Sequence, residues 1–306
     1  MTTPTSTLIV GTGALASLFA ARLAAAGAAV TLLGSWPAAL AALRRDGVRL
    51  VEADGRERAY AVRVTEDPAA CRGAHTALVL VKAWQTGRAA EQLAACLAAD
   101  GVALTLQNGW GNREQLEATL GADRVALGTT TLGATLLEPG RVRVGGPGPI
   151  TLGEHPALPS LAALLAAAGF TVQITDDVDG LAWGKLVINA AINPLTALLR
   201  IANGELLAQP ALRALLGKVA VEAAHVGLAR GLRLPFADPA AAAEEVARRT
   251  AANHSSMFQD VQHGRPTEID AISGAVVTVA GQLGLSAPLN ETLWTLVSAQ
   301  SALTKA

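Results

Sequence analysis

The sequence predicts an α/β chain in two parts, a doubly wound parallel sheet at the N-terminus followed by an all-helical C-terminal domain. Three observations predict it. Short apolar runs alternate with helical patterns as far as about residue 175. Beyond that point strand patterns cease and only Ala/Leu-rich helical segments remain. A glycine-rich turn also joins the first strand pattern to the first helix pattern. The 306 residues suffice for two domains with a core in each.

Thr7–Val10 reads as a strand, and Ala14–Ala26 as a helix ended by Gly27. Ala29–Leu33 is a second strand and Ala38–Arg45 a second helix. Ala77–Val81, Val102–Leu106 and Arg124–Thr130 are further strands, with a helix at Ala89–Ala98. Such alternation argues for parallel strands covered on both faces. Arg141–Val144 and Pro149–Leu152 read as an added hairpin, followed by a helix near Pro159–Ala168 and a last strand at Thr171–Ile174. Helical patterns then fill roughly 178–200, 204–230, 239–252, 267–283 and 288–303, punctuated by Pro235, Pro239, Gly284 and Pro288. The domains expected are 1–175 and 176–306, and a cleft between two such domains is a usual place for a ligand.

Half the residues are hydrophobic (51%) but only 3% are aromatic, so the cores must be built from Ala, Leu and Val. A net charge of −1 gives no electrostatic reason to expect nucleic acid or an anionic membrane as partner. The apolar segment 8–33 contains Arg22, is broken by Gly11, Gly13 and Gly27, and has no basic stretch before it, which argues against a spanning helix or signal peptide. Cys71 and Cys96 are too few for a disulfide framework or a zinc site, so no metal is expected and a reducing cytoplasm is the default location. Of 24 basic residues only Lys82, Lys185, Lys218 and Lys305 are lysines. A lysine inside a motif is therefore suggestive, since an ammonium can titrate and a guanidinium essentially cannot.

Gly11-Thr12-Gly13-Ala14-Leu15-Ala16 follows an apolar strand and opens a helix, the setting of a dinucleotide-binding turn in a Rossmann-type domain. Gly11 would permit the tight turn, Gly13 the approach of the backbone to a pyrophosphate, and Ala16 close packing on the strand, with the phosphate at the positive end of the helix. The second strand ends in Leu33-Gly34-Ser35-Trp36, with neither the acid that binds ribose hydroxyls nor the arginine that binds a 2′-phosphate. Ser35 can donate one hydrogen bond there, with Arg44 or Arg45 as candidates to reach the phosphate, so NADP is favoured over NAD. Lys82 and Asn108 each follow a strand. Lys82 reads equally as a solvated lysine or a cation facing the nicotinamide side, and Asn108 as an Asn-Gly turn residue or a polar group facing the cleft.

The most informative stretch is 183–196, WGKLVINAAINPLT. Lys185, Asn189 and Asn193 are spaced by four and stack on one face of a helix that is otherwise apolar. Buried polar groups without partners cost about 1–3 kcal/mol each, so this stripe faces a ligand more reasonably than it faces water. Pro194 should kink that helix. In the second cluster, Ser255 or Ser256 could cap a short helix and Thr267 the next one. Glu268 then falls in a helix first turn, where a carboxylate is dipole-stabilised but could equally face the cleft.

These residues together resemble the ketopantoate reductase (2-dehydropantoate 2-reductase) family over nearly the whole chain: GTGALAS, LVKAWQT, LQNG, WGKLVINAAINPLTAL, NGEL and SSMFQDVQHGRPTEID. The resemblance implies a dinucleotide-binding Rossmann domain and a helical substrate domain that close on NADPH and a branched 2-keto acid, in pantothenate biosynthesis. It implies that Lys185 protonates the ketone oxygen as hydride arrives, and that Glu268 binds the substrate hydroxyl and helps place the lysine. Asn189, Asn193, Asn203 and Ser256 match substrate-holding positions, Asn108 a position near both nicotinamide and substrate, and Lys82 and Asn253 cofactor or cleft contacts. Ser35 departs from the family, whose members usually carry arginine there, and this weakens the NADP preference. The alternatives are a related dehydrogenase of another 2-keto or 2-hydroxy acid, and a regulator that binds NADP without turnover; the second has no need of a proton donor. The partners expected are a small keto acid and, in a homodimer, a second copy of the chain, although nothing in the sequence specifies the oligomeric state.

Overall fold

A computed structural model describes residues 6–303. The chain divides into two compact units; the first ends at Val178 and omits Asn108–Gly111, four residues that belong with the second.

The first unit runs β1 (Ser6–Val10), α1 (Ala14–Ala25), β2 (Ala29–Leu33), α2 (Pro37–Asp46), β3 (Val48–Val51), β4 (Glu57–Tyr60), β5 (Arg63–Thr65), β6 (Ala74–Val79), α3 (Thr86–Cys96), β7 (Leu97–Thr105), α4 (Asn112–Leu120), β8 (Val125–Thr130), β9 (Ala134–Glu138), β10 (Arg141–Val144), β11 (Ile150–Gly153), α5 (Pro159–Ala167) and β12 (Val172–Thr175). Eight strands form the main sheet in the order β12-β11-β8-β7-β6-β1-β2-β5, parallel throughout except between β8 and β11. Central β1 shows why its sequence is a continuous apolar run: Leu8, Ile9 and Val10 are all buried, as a strand covered on both faces requires.

α1 is apolar for the same reason. Ala16 to Ala21 and Leu23 are buried, since one side of the helix meets the main sheet at β1 and β2 while β3, β9 and β10 cover another. Phe19 stacks on Phe170 with centroids 4.6 Å apart. These covering strands belong to a second sheet of order β4-β3-β10-β9. Here the hairpin expected from Arg141–Val144 and Pro149–Leu152 is corrected. β10 pairs antiparallel with β9 and parallel with β3, whereas β11 joins β8 and β12 in the main sheet. The glycine-rich link between them carries the chain from one sheet to the other; Gly145 and Gly133 lie so close that a Cβ on Gly145 would stand 2.6 Å from the Gly133 carbonyl carbon. Cys71 and Cys96 are buried and free, and burial pushes the Cys96 thiol up to about 11.

The second unit contains α6 (Val178–Leu199), α7 (Glu205–Ala208), α8 (Pro210–Ala229), α9 (Pro239–Arg249), α10 (Ser256–Gln262), a π-helical turn (Asp270–Gly274), α11 (Ala275–Gln282) and α12 (Pro288–Leu303). No helix among the described residues is long and apolar enough to cross a membrane. The segment expected as one helix over 204–230 is broken at Gln209, because Pro210 starts α8 and its ring sets the preceding residue in an extended conformation. α6 continues through Pro194. Trp183 on α6 is fully buried and donates its indole N–H to the Ala223 carbonyl at 3.0 Å. Gly227, one turn further along α8, makes the room: a Cβ there would lie 2.3 Å from the Trp183 Nε1. Glu222 accepts the backbone N–H groups of Leu289 and Asn290 at 3.0 and 2.8 Å and thereby caps α12 from a neighbouring helix.

Candidate functional site

In the first unit, three polar or glycine-rich segments follow the carboxyl ends of the adjacent parallel strands β6, β1 and β2. Gly11 is held at φ +130, donates to the Leu33 carbonyl at 2.8 Å, and has a Leu80 carbonyl oxygen 3.0 Å from where a Cβ would stand. A side chain is excluded there on conformational and steric grounds. Thr12 is buried against Gly34. Gly13 differs from both. It is exposed, has an ordinary negative φ, and would meet nothing within 4 Å with a Cβ in place. The open space lies at the start of α1, whose first turn carries neither a side-chain cap nor an acid. An uncapped helix start beside open space accepts a phosphate group, so the residues fit a dinucleotide. Ala14 and Leu15 open the helix and Ala16 is buried against the core, as close packing on the strand demands.

Ser35 is half-buried just after β2, and Trp36 precedes the first residue of α2. Arg44 and Arg45 lie in the last turn of that helix, about 10 Å or more along its axis from Ser35 at the usual rise per residue. Arg45 is also tied to Asp46 at 2.7 Å. Lys82 is half-buried just before a 3₁₀ turn (Ala83–Gln85), its backbone N–H donated to Gln85 Oε1 at 3.4 Å. A polar network not foreseen from the sequence follows β7. The Gln107 amide donates to the Val81 carbonyl at 3.1 Å and to Thr86 Oγ1 at 2.9 Å, and Thr86 donates to Asn112 Oδ1 at 2.9 Å. The available signal was an amide beside Asn108 at the end of a buried strand.

The second unit holds Lys185, Glu268 and Asn108 together. Lys185 lies half-buried on α6, and burial pushes its ammonium down to about 8, against the opposing pull of the Glu268 carboxylate. Glu268 is 5% exposed, and the Asn108 amide donates to its Oε2 at 3.5 Å. The expectation that Glu268 sits in a helical first turn is corrected: the π-helical turn begins at Asp270. The Glu268 carbonyl nevertheless accepts the N–H groups of Ala271 and Ile272, each at 3.1 Å. Thr267 does not cap that element either; its hydroxyl accepts the Ile269 N–H at 3.4 Å, a local turn two residues long.

Asn189 is half-buried and Asn193 buried, one and two turns beyond Lys185 on the same face of α6. The stripe ends at Thr196, which donates to Ser255 Oγ at 2.7 Å, and Ser255 caps α10 by accepting the Phe258 N–H. Of the two serines, Ser255 is thus the cap, and Ser256 is exposed at the first helical position. Asn203 is buried. Its amide donates to Thr250 Oγ1 at 2.9 Å and its backbone N–H to the Asn253 carbonyl at 3.0 Å, while its Oδ1 has no partner among the described residues. Asn253 itself is exposed. Among the described residues no three His, Cys, Asp or Glu side chains gather as a metal ion would need.

Comparison with known proteins completes the picture. The family described as "Ketopantoate reductase PanE/ApbA" matches residues 7–157, and "Ketopantoate reductase PanE/ApbA C terminal" matches 177–301. The chain is 37% identical to the 2-dehydropantoate 2-reductase of Halobacterium salinarum, over 95% of this chain and 97% of that protein. It is 36% identical to the Archaeoglobus fulgidus protein of the same name, over 94% and 95% of the two chains. Among solved structures, a PanE/ApbA family ketopantoate reductase from Ralstonia eutropha superposes with a TM-score of 0.92 at 32% identity, covering 98% of this chain and all of that one.

Proposed function

The chain belongs to the ketopantoate reductase family, and from that premise we propose that it reduces 2-dehydropantoate to pantoate with NADPH, Lys185 supplying the proton. The observation that carries the reading is the meeting of a half-buried lysine, lowered to about 8, with a buried carboxylate. Such a lysine is still mostly protonated near neutrality yet gives up its proton readily.

The turn Gly11–Ala16 would hold the dinucleotide pyrophosphate at the start of α1, with Ser35 at the adenosine ribose and Lys82, Asn108 and Asn253 as further contacts. When bound, the dinucleotide supplies a hydride to the carbonyl carbon of the keto acid. As negative charge builds on the carbonyl oxygen, the Lys185 ammonium stabilises it and transfers its proton there, leaving a neutral amine that water reprotonates. Glu268 accepts a hydrogen bond from the substrate hydroxyl and, through its charge, keeps Lys185 protonated. Asn189, Asn193 and Ser256 supply donors for the substrate carboxylate. Asn203, with its amide committed to Thr250, acts on the substrate by holding its loop against Asn253.

The choice of NADPH is supported by the missing acid at the end of β2, which removes the usual rejection of a 2′-phosphate. With serine in place of a basic residue at 35, the preference over NADH is modest. Cytoplasmic residence is supported by two free, buried cysteines. The test is a panel of small 2-keto acids assayed with both cofactors. Fastest turnover on 2-dehydropantoate with NADPH is expected; faster turnover on another acid, or with NADH, overturns the substrate or the cofactor reading respectively.

A further inference from the structure

The loop Asn108–Gly111 leaves the strand end of the first unit and is bound into the second at three points. The Trp110 N–H donates to the Ala271 carbonyl at 2.8 Å. Its indole meets Trp183 edge to face, centroids 4.9 Å apart at 76°. The Arg230 guanidinium lies over the same ring, 5.5 Å from its centroid. Gly109 makes the approach possible: at φ +90, a Cβ would stand 2.6 Å from both the Cβ and the carbonyl oxygen of Ala271.

Two of these anchors adjoin the machinery, from different sides. Ala271 belongs to the turn that starts at Glu268, whose carbonyl its own N–H caps at 3.1 Å. Trp183 stands two residues before Lys185 on α6 and is immobilised by its bond to Ala223. The loop's first residue, Asn108, places its amide on the Glu268 carboxylate at 3.5 Å. One residue thus joins the helix that carries the ammonium, through its ring, to the turn that carries the carboxylate, through its backbone N–H.

We infer that Trp110 is a positioning residue for the proposed reduction: it clamps Asn108–Gly111 onto the Glu268–Ala271 turn and so holds the Glu268 carboxylate in register with Lys185. The inference rests on the reading of Lys185 as proton donor and adds a residue that touches neither substrate nor cofactor. The charged groups bearing on the arrangement are Glu268, on the turn facing Lys185, and Arg230, at the end of α8 over Trp110. With the ring removed, the loop loses two of the three anchors that Trp110 provides, and Glu268 is no longer held in register with the ammonium. The carboxylate's upward pull on Lys185 then weakens, and Lys185 titrates at lower pH.

The test uses the whole chain. With four lysines in the sequence, the lysine side-chain carbons can be followed individually by NMR, the Lys185 signal being the one absent from Lys185→Arg. In Trp110→Ala, Lys185 is expected to titrate at lower pH than in the wild type, and kcat to fall on the order of tenfold, since small misplacements of reacting groups are costly. Cofactor affinity should fall less than kcat, because Asn108 is one of several contacts proposed for the dinucleotide. Trp110→Phe, which keeps a ring, should restore both. Gly109→Ala, which forces the loop off Ala271, should shift the titration in the same direction and serves if Trp110→Ala does not fold. A Lys185 midpoint unmoved in the folded variants, or a fall in kcat without that shift, overturns the inference. A wild-type protein that reduces no keto acid would overturn the proposed reaction, while the Lys185 midpoints would still decide the clamp.

Discussion

Removing the charge at Glu268 should leave a distinctive trace in the pH dependence. Reduction requires protonated Lys185, so kcat/KM should fall as pH rises through about 8, the position to which burial and Glu268 together bring the lysine. Glu268 raises that value, so Glu268→Gln must move the limb downward; an opposite charge acting on a buried group is worth about one to two pKa units. At pH 7 the wild-type lysine is then about nine-tenths protonated, and the variant's between about one-half and one-tenth. Protonation alone accounts for a loss of about two- to tenfold at pH 7, falling to about twofold or less at pH 6 and growing to about five- to fiftyfold at pH 8. Any hydrogen bond lost to the substrate hydroxyl adds a factor that does not vary with pH. The assay is steady-state NADPH oxidation across this range, plotted as the ratio of variant to wild type. A ratio that stays flat from pH 6 to 8, or rises with pH, would refute the reasoning.

Other positions separate cofactor binding from stability. Gly13→Val puts its side chain into the open space beside the start of α1, so NADPH affinity should fall at least about tenfold with little change in melting temperature; calorimetry and a thermal melt together check this. Ser35→Arg should raise the NADPH-over-NADH ratio of kcat/KM by about tenfold, a bidentate phosphate partner being worth roughly 1–3 kcal/mol. Gly227→Ala drives a methyl group to 2.3 Å from the Trp183 indole nitrogen, and should cost about 1–3 kcal/mol in denaturant titrations.

Much of this architecture was legible before any coordinates. β2 has the bounds read from its apolar run, and the polar stripe on α6 stood out because two asparagines on an apolar helix need a reason. The second sheet was not legible. β4 (Glu57–Tyr60) is mostly exposed and shows no apolar alternation, so only the Asp54-Gly55 turn announced its hairpin with β3. β10 then looked like the partner of β11, because pairing between neighbours in sequence is the default and β9 was not recognised. At the site, residue types with intrinsic chemistry were readable, whereas their supports were not. Trp110 resembles any loop tryptophan until its contacts with Trp183, Arg230 and Ala271 are seen.

The most direct measurement is NADPH oxidation with 2-dehydropantoate by the wild type and by Lys185→Ala, with cofactor affinity determined in parallel. The account predicts turnover by the wild type, a loss of roughly 10²–10⁴-fold in kcat for the variant, and nearly equal NADPH affinity for both. Comparable turnover by the two proteins would contradict it, because the proton would then come from another group.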